Sequence, residues 1–325
     1  MARILSLLLI LFCSCFVGAA AVAIETAAAP KLVSLAPSNT ELVYFLHKQD
    51  CLVGRSSYCH SPKFVESKPV VGSFISANTE KLAYLKPDLV LLVNGQEALS
   101  SQLQHQGFKT IIFNNNRLSD IGANLKRLGQ ATGSIDTANK LNAAFNESLQ
   151  ELKQIVNTDK QKPSVFYCVW AQPLISCGSK SFLDDVIMAC GGENIAGHFQ
   201  AAYPHVSMEL LLYKNPDVLV LSHDTKDKSF LKRAPWSSLK AVKNNRVYSL
   251  PAESAESVSA LVIKGGDSKN SKSTNNNLPS GDSLLRPSPK VIDGLYWLAS
   301  SLHPDCQNNL KLWHQKYSRL LSTGN

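Results

Sequence analysis

Two unbroken apolar runs stand out along the chain, Leu89–Val93 and Val218–Leu221. Runs of this length without alternation predict strands covered on both faces. The same lead-in precedes each: EKLAYLKPDLVLL fills residues 80–92 and ELLLYKNPDVLVL fills residues 209–221. In both, Glu opens the segment, Tyr follows four residues on, and Pro-Asp comes at seven and eight. The reading is a short helix, a break and a buried strand. Asn78 and Ser207 stand where N-caps belong. Glu80 and Glu209 then fall in the first helical turn, where the helix dipole favours an anion. Proline stops each helix by clashing with the turn before it. A repeat that occurs twice, far apart, implies two similar lobes rather than a solenoid. A generic α/β unit accounts for the Pro-Asp and the strand, but not for a Glu at the same place in both copies.

The rest of the pattern is strand–helix alternation. Strands are predicted at 31–35, 52–56, 110–113, 164–170 and 246–250, and helices at 40–46, 96–106, 182–190, 291–302 and 310–321. Ser38-x-x-Glu41 reads as a capping box for the first helix. This order predicts parallel sheets. The segment 134–156 differs. Its apolar residues Ile135, Ala138, Leu141, Phe145, Leu149, Leu152, Ile155 and Val156 recur at helical spacing. They predict one amphipathic helix of about 22 residues, about 33 Å long at 1.5 Å per residue. The expected fold is α/β, with two Rossmann-like lobes of mainly parallel sheet. One long rigid helix joins them, and a ligand cleft lies between. The expected boundaries are an export signal at 1–23, a first lobe at 24–133, the linking helix at 134–157 and a second lobe at 158–325.

At 325 residues, 44% hydrophobic and 18% charged, the chain has globular composition and room for two lobes. The net charge of +8 is mostly scattered lysine, without an Arg/Lys stripe interleaved with aromatics. That favours solubility over nucleic-acid binding. Arg3, the apolar ILSLLLILF and the small-residue stretch ending Ala21-Val22-Ala23 read as a cleavable export signal. The expected location is the periplasm, with a lipid anchor on Cys15 as the less favoured alternative. Six cysteines follow the signal: Cys51, Cys59, Cys168, Cys177, Cys190 and Cys306. One or two disulfides fit an oxidising compartment, with Cys190–Cys306 and Cys51–Cys59 as candidate pairs and buried thiols as the alternative. Residues 264–283, KGGDSKNSKSTNNNLPSGDS, are almost free of apolar side chains. They belong to a low-complexity insertion at about 252–281, expected as disordered surface or as a flap over a site.

No G-x-S-x-G elbow, P-loop, G-x-G-x-x-G after a strand or H-E-x-x-H occurs, and no Cys/His spacing suits zinc. The chain is therefore expected to be no enzyme and to carry neither cofactor nor metal. Ligands of parallel sheets bind at the carboxyl ends of the strands. Residues near the predicted strand ends are aromatic or polar: Tyr58, Phe74, Asn94, Trp170 and Tyr203.

Several blocks together carry a family resemblance. They include VSLAPSNTELVYFL, VGRSSYCHSP, NTEKLAYLKPDLVLLVNG, ACGGENIAG, YPHVSMELLLYKNPDVLVL, WSSLKAVKNNRVYSLP and RPSPKVIDGLYWLASSLHP, across about residues 31–305. The chain resembles the helical-backbone periplasmic binding proteins of ABC importers for cobalamin, ferric siderophores and haem, and most of all the cobalamin binders. The resemblance implies a monomeric receptor that passes a small molecule to a permease dimer with cytoplasmic ATPases. Glu80 and Glu209 match the pair that docks each lobe onto permease arginines. Tyr58 matches a tyrosine on the corrin, and Phe74 and Tyr203 fall where the cobalamin binders have tryptophans. Asp282 and Arg286 keep the spacing of a late cleft loop, and Trp170 is a further candidate. Val93, Val169 and Ile175 replace family aromatics. The transported ligand implied is cobalamin. Haem, with Tyr58 or His60 as axial ligand, or a ferric siderophore are the alternatives on the same fold. An exported α/β hydrolase and a surface adhesion module using the insertion are the readings from other classes.

Overall fold

The computed structural model describes residues 29–157, 162–222, 225, 227–249 and 286–323. The export signal, Cys15, the insertion and Asp282 lie outside the described residues. The first lobe runs β1 (Leu32–Ser34), α1 (Pro37–Phe45), β2 (Leu52–Ser56), β3 (Val70–Gly72), α2 (Thr79–Leu85), β4 (Leu89–Val93), α3 (Glu97–His105), β5 (Thr110–Phe113) and α4 (Leu118–Thr132). Its five strands are all parallel, in the order β3-β2-β1-β4-β5. Then comes α5 (Ile135–Val156), the 22-residue helix expected from the apolar spacing.

The second lobe runs β6 (Ser164–Cys168), β7 (Trp170–Ala171), β8 (Leu174–Ile175), α6 (Phe182–Ala189), β9 (Glu193–Asn194), α7 (Met208–Lys214), β10 (Val218–Leu221), α8 (Lys240–Lys243), β11 (Val247–Ser249), α9 (Val291–Leu302) and α10 (Gln307–Thr323). Four strands form a parallel sheet in the order β11-β10-β6-β9. Strands β7 and β8 make a separate antiparallel hairpin. Strand direction in each sheet follows from the crossover helices, as the alternation implies.

One apolar core spans both sheets. It joins Leu32, Leu91 and Phe113 of the first sheet to Val165, Tyr167 and Val218 of the second, through Leu141, Phe145 and Leu152 of α5. Helix α10 lies along α5. The buried Trp313 ring donates from Nε1 to the Ser148 carbonyl at 2.8 Å. The Tyr317 hydroxyl shares its proton between the Glu147 and Glu151 carboxylates, at 3.0 and 2.7 Å. A polar tie adds to the core: Arg117, at the start of α4, pairs with Asp185 of α6 at 2.6 Å and donates to the Ser179 carbonyl at 2.8 Å. The other Asp185 oxygen accepts from the Leu118 amide at 3.1 Å. The hydrogen bond donated to Asp185 raises the guanidinium pKa.

Two expectations are corrected, and one helix is new. Helix α4 has no counterpart in the sequence reading, although Leu118, Ile121, Leu125 and Leu128 are spaced for it and buried. Gly122 and Gly129 lower its intrinsic propensity, but they serve packing. A Cβ on Gly129 would sit 2.7 Å from the Ala138 Cβ of α5. Helix α1 begins at Pro37 with Ala36 as N-cap, so Ser38 and Glu41 form no capping box. All six described cysteines are free thiols. Cys190 points at the Leu295 carbonyl (3.4 Å) and Cys306 at the Ile155 carbonyl (3.5 Å), while Cys59 faces Ser56 Oγ (3.3 Å). Burial pushes the Cys168 and Cys177 thiols up to about 12, where they act as small apolar groups.

Because both sheets share one core, Trp313→Ala is expected to destabilise the whole molecule by about 3–5 kcal/mol. Urea unfolding followed by far-ultraviolet circular dichroism and by tryptophan fluorescence should give one coincident transition. Two separated transitions in the variant would show that the lobes unfold independently.

Candidate functional site

The two copies of the repeat fold alike down to their hydrogen bonds. The Asn78 side chain accepts from the Lys81 amide at 2.9 Å and that of Ser207 from the Leu210 amide at 3.1 Å, so each helix is N-capped as expected. Helices α2 and α7 have seven residues each and end on left-handed residues, Lys86 (φ 48°) and Asn215 (φ 42°). Proline follows, since the helix cannot continue through it. The next residue then ties the segment to the first strand of its own sheet. Asp88 accepts from the Lys31 amide at 2.7 Å, and Asp217 from the Ser164 amide at 2.9 Å. Leu82 and Leu211 anchor the inner faces and are fully buried. Glu80 and Glu209 stand exposed in the first turn of their helices. The Glu209 carboxylate is held below its usual range by its own backbone amide and the Ser207 hydroxyl.

The aromatic candidates gather at the carboxyl ends of the strands, one pair per lobe. Tyr58 follows the carboxyl end of β2 and Phe74 that of β3. The Ser57 amide donates to the Gly72 carbonyl at 2.8 Å and holds the two loops together. Gln96 Nε2 donates to the Phe74 carbonyl at 2.5 Å. In the second lobe Trp170 follows β6, and the loop carrying Tyr203 bridges to β8 through Ile175 and His205. The Val206 amide donates to the Leu174 carbonyl at 2.9 Å. All four rings are exposed, Phe74 the least at 37% and Tyr58 and Tyr203 the most at 57%. Fixed loops that leave large rings in water form a ready contact surface, whereas core packing would have hidden them. Trp236, by contrast, is buried against Phe230.

An asparagine lattice lines the same strand ends of the first lobe. Asn94 Oδ1 accepts from the Asn115 amide, Asn94 Nδ2 donates to Asn116 Oδ1, and Asn115 Nδ2 donates to Ser38 Oγ, at 2.9, 2.9 and 3.0 Å. Sequence reasoning found Asn94 alone. The run Asn114-Asn115-Asn116 after β5 is the signal that marks the rest.

Arg286 is placed differently from expectation. It is 6% exposed, and its guanidinium meets Glu41 of α1 at 3.0 Å. The Ser288 hydroxyl donates to the other Glu41 oxygen. The residue that reads as a capping glutamate is thus the buried counter-ion of an arginine expected to face a ligand. This cluster fastens the chain that follows the insertion to the first lobe. A cavity of about 240 Å³ lies beside it, lined by Glu41, Tyr44, Lys290 and Asp293 among others. That is below the roughly 300–1,000 Å³ of ordinary ligand pockets. Among the described residues no cluster of His, Cys, Asp and Glu could hold a metal, and His60 stands exposed. No described helix is long and apolar enough to cross a membrane.

Two parallel-sheet lobes on one core, with aromatic edges where such sheets bind ligands, define a solute-binding protein. The chain matches the periplasmic binding protein family over residues 32–254 and belongs to that family, whose members are non-enzymatic transport components. It is 29% identical to the ABC transporter substrate-binding lipoprotein YvrC of Bacillus subtilis, over 85% of this chain and 80% of that protein. It is 30% identical to a vitamin B12-binding protein of Vibrio vulnificus, over 78% of this chain and 90% of that protein. The periplasmic vitamin B12-binding protein BtuF of Vibrio cholerae superimposes with a TM-score of 0.68 at 26% identity, covering 86% of this chain and 98% of that one. The chain is accordingly an extracytoplasmic substrate-binding protein of the ABC-transporter type.

Removing one partner of the Glu41–Arg286 pair leaves a buried charge alone, so Glu41→Ala should cost about 3–5 kcal/mol in chemical denaturation. The double change Glu41→Met with Arg286→Met should recover most of that loss. Equal loss in both variants would show that the pair contributes only through shape.

Proposed function

We propose that this chain captures a corrinoid, cobalamin, between the aromatic edges of its two lobes and delivers it to a permease dimer with its ATPases. One observation carries the reading. Tyr58, Phe74, Trp170 and Tyr203 are all exposed at the ligand-binding ends of the sheets, in a chain 30% identical to vitamin B12 binders. Flat ring faces suit a macrocycle with an apolar body, and the neighbouring asparagine amides suit its amide rim. Arg286 acts here by positioning the returning chain and not by touching the ligand. Asp282 keeps its place as a candidate for the rim. The shared core restricts the lobes to rotations of a few degrees on binding, without wide hinge closure. Glu80 and Glu209, one carboxylate per lobe, pair with cationic groups on a two-fold permease.

Calorimetric titration of the mature protein with cyanocobalamin should give tight one-to-one binding, with hemin and a ferric siderophore silent. Tyr58→Ala should weaken it about tenfold, or roughly 1.4 kcal/mol. Binding of hemin with a Soret band, and none of cyanocobalamin, would move the ligand assignment to haem and leave the fold untouched. Glu80→Lys with Glu209→Lys should abolish uptake while ligand affinity stays unchanged. Surviving uptake would refute the docking assignment.

A further inference from the structure

The repeat holds more than a pair of carboxylates. Aligned residue by residue, its two thirteen-residue copies are identical at six positions: Glu80/Glu209, Leu82/Leu211, Tyr84/Tyr213, Pro87/Pro216, Asp88/Asp217 and Leu92/Leu221. Four of these have an internal role. Both leucine pairs are fully buried, each proline follows a left-handed helix cap, and each aspartate holds the amide of its neighbouring strand. The remaining two, Glu and Tyr, face solvent. Tyr84 is 86% exposed and Tyr213 is 83% exposed. Fold maintenance therefore leaves the tyrosines unexplained in both lobes, at one register.

Resting on the docking reading above, we infer that Tyr84 and Tyr213 are contact residues for the permease, each forming a single recognition unit with the glutamate one turn before it. Residues four apart share a helix face, with Cβ atoms about 5–6 Å apart. A carboxylate beside an aromatic face suits one arginine: the guanidinium forks onto the carboxylate and stacks flat on the ring. Tyrosine offers a large contact area with few rotamers to freeze, which suits an exposed anchor. Matching caps, matching strand ties and equal helix lengths present the unit in the same local geometry on both lobes. The occupant is thus a partner with two equivalent cationic surfaces, as a permease dimer has, and not one continuous basic groove.

The test measures the dissociation constant of the cyanocobalamin-loaded full chain for the ABC permease–ATPase complex of the same cell, held in nanodiscs. Tyr84→Ala with Tyr213→Ala should weaken docking about tenfold or more. Circular dichroism and cyanocobalamin affinity should not change. Tyr84→Phe with Tyr213→Phe should restore docking, because the ring face is kept. Each single alanine variant should lose a similar share. The alanine pair should keep the steep salt dependence that Glu80→Gln with Glu209→Gln removes. Wild-type docking by the alanine pair, together with lost docking by the glutamine pair, would overturn the tyrosine inference and leave the glutamate reading standing. Unchanged docking by both pairs would overturn both. A wild-type chain that sediments as a dimer, made monomeric by the alanine pair, would also overturn the inference and assign the face to a second copy.

Discussion

The architecture depends on the packing of one helix. Helix α5 contributes Leu141, Phe145 and Leu152 to a core that also holds strand residues of both sheets. α10 closes over it with the buried Trp313 and Tyr317. Close-packed interiors are not continuously deformable, so this core fixes how the two sets of strand ends can move relative to each other. The Arg117–Asp185 pair adds a directional tie between the lobes, with the same aspartate accepting from the first amide of α4. It is partly exposed, so its contribution is modest beside that of the core.

Each lobe presents two kinds of exposed surface. The carboxyl ends of the strands carry rings on short loops, held by backbone bonds such as Ser57 to Gly72 and Val206 to Leu174. The capped helices α2 and α7 carry the exposed glutamates and tyrosines. Both kinds of surface are positioned by backbone hydrogen bonds and buried leucines, so neither depends on the charge or ring it presents. Substitutions at the exposed positions are therefore separable from folding.

Where sequence patterns misled, a long-range partner was the reason. Ser38-x-x-Glu41 has the spacing of a capping box, but Glu41 turns inward to an arginine 245 positions away. Arg286 has the spacing of a ligand contact, but its buried pair with Glu41, itself held by the Ser288 hydroxyl, keeps it inside. An oxidising compartment suggested bridges, but all six described cysteines are free thiols, with Cys190 and Cys306 facing backbone carbonyls. Helix α4 has no counterpart in the sequence reading; Gly122 and Gly129 lower its propensity, and the approach of α5 shows why a side chain would not fit there.

By itself the sequence determined what is decided within a few turns of chain. This covers the duplicated capped helices with Glu80 and Glu209 in their first turns, the buried strands after Pro-Asp, the 22-residue span of α5 and the parallel α/β class. Caps, dipoles and apolar periodicity act between near neighbours, so their signals are written locally. Tertiary structure alone decided which aromatic rings share an edge, that Glu41 and Arg286 are buried together, that the described thiols are unpaired, and that one core serves both sheets. Each of those outcomes depends on a group supplied from a distant part of the chain, and its partner cannot be identified from the spacing of either residue.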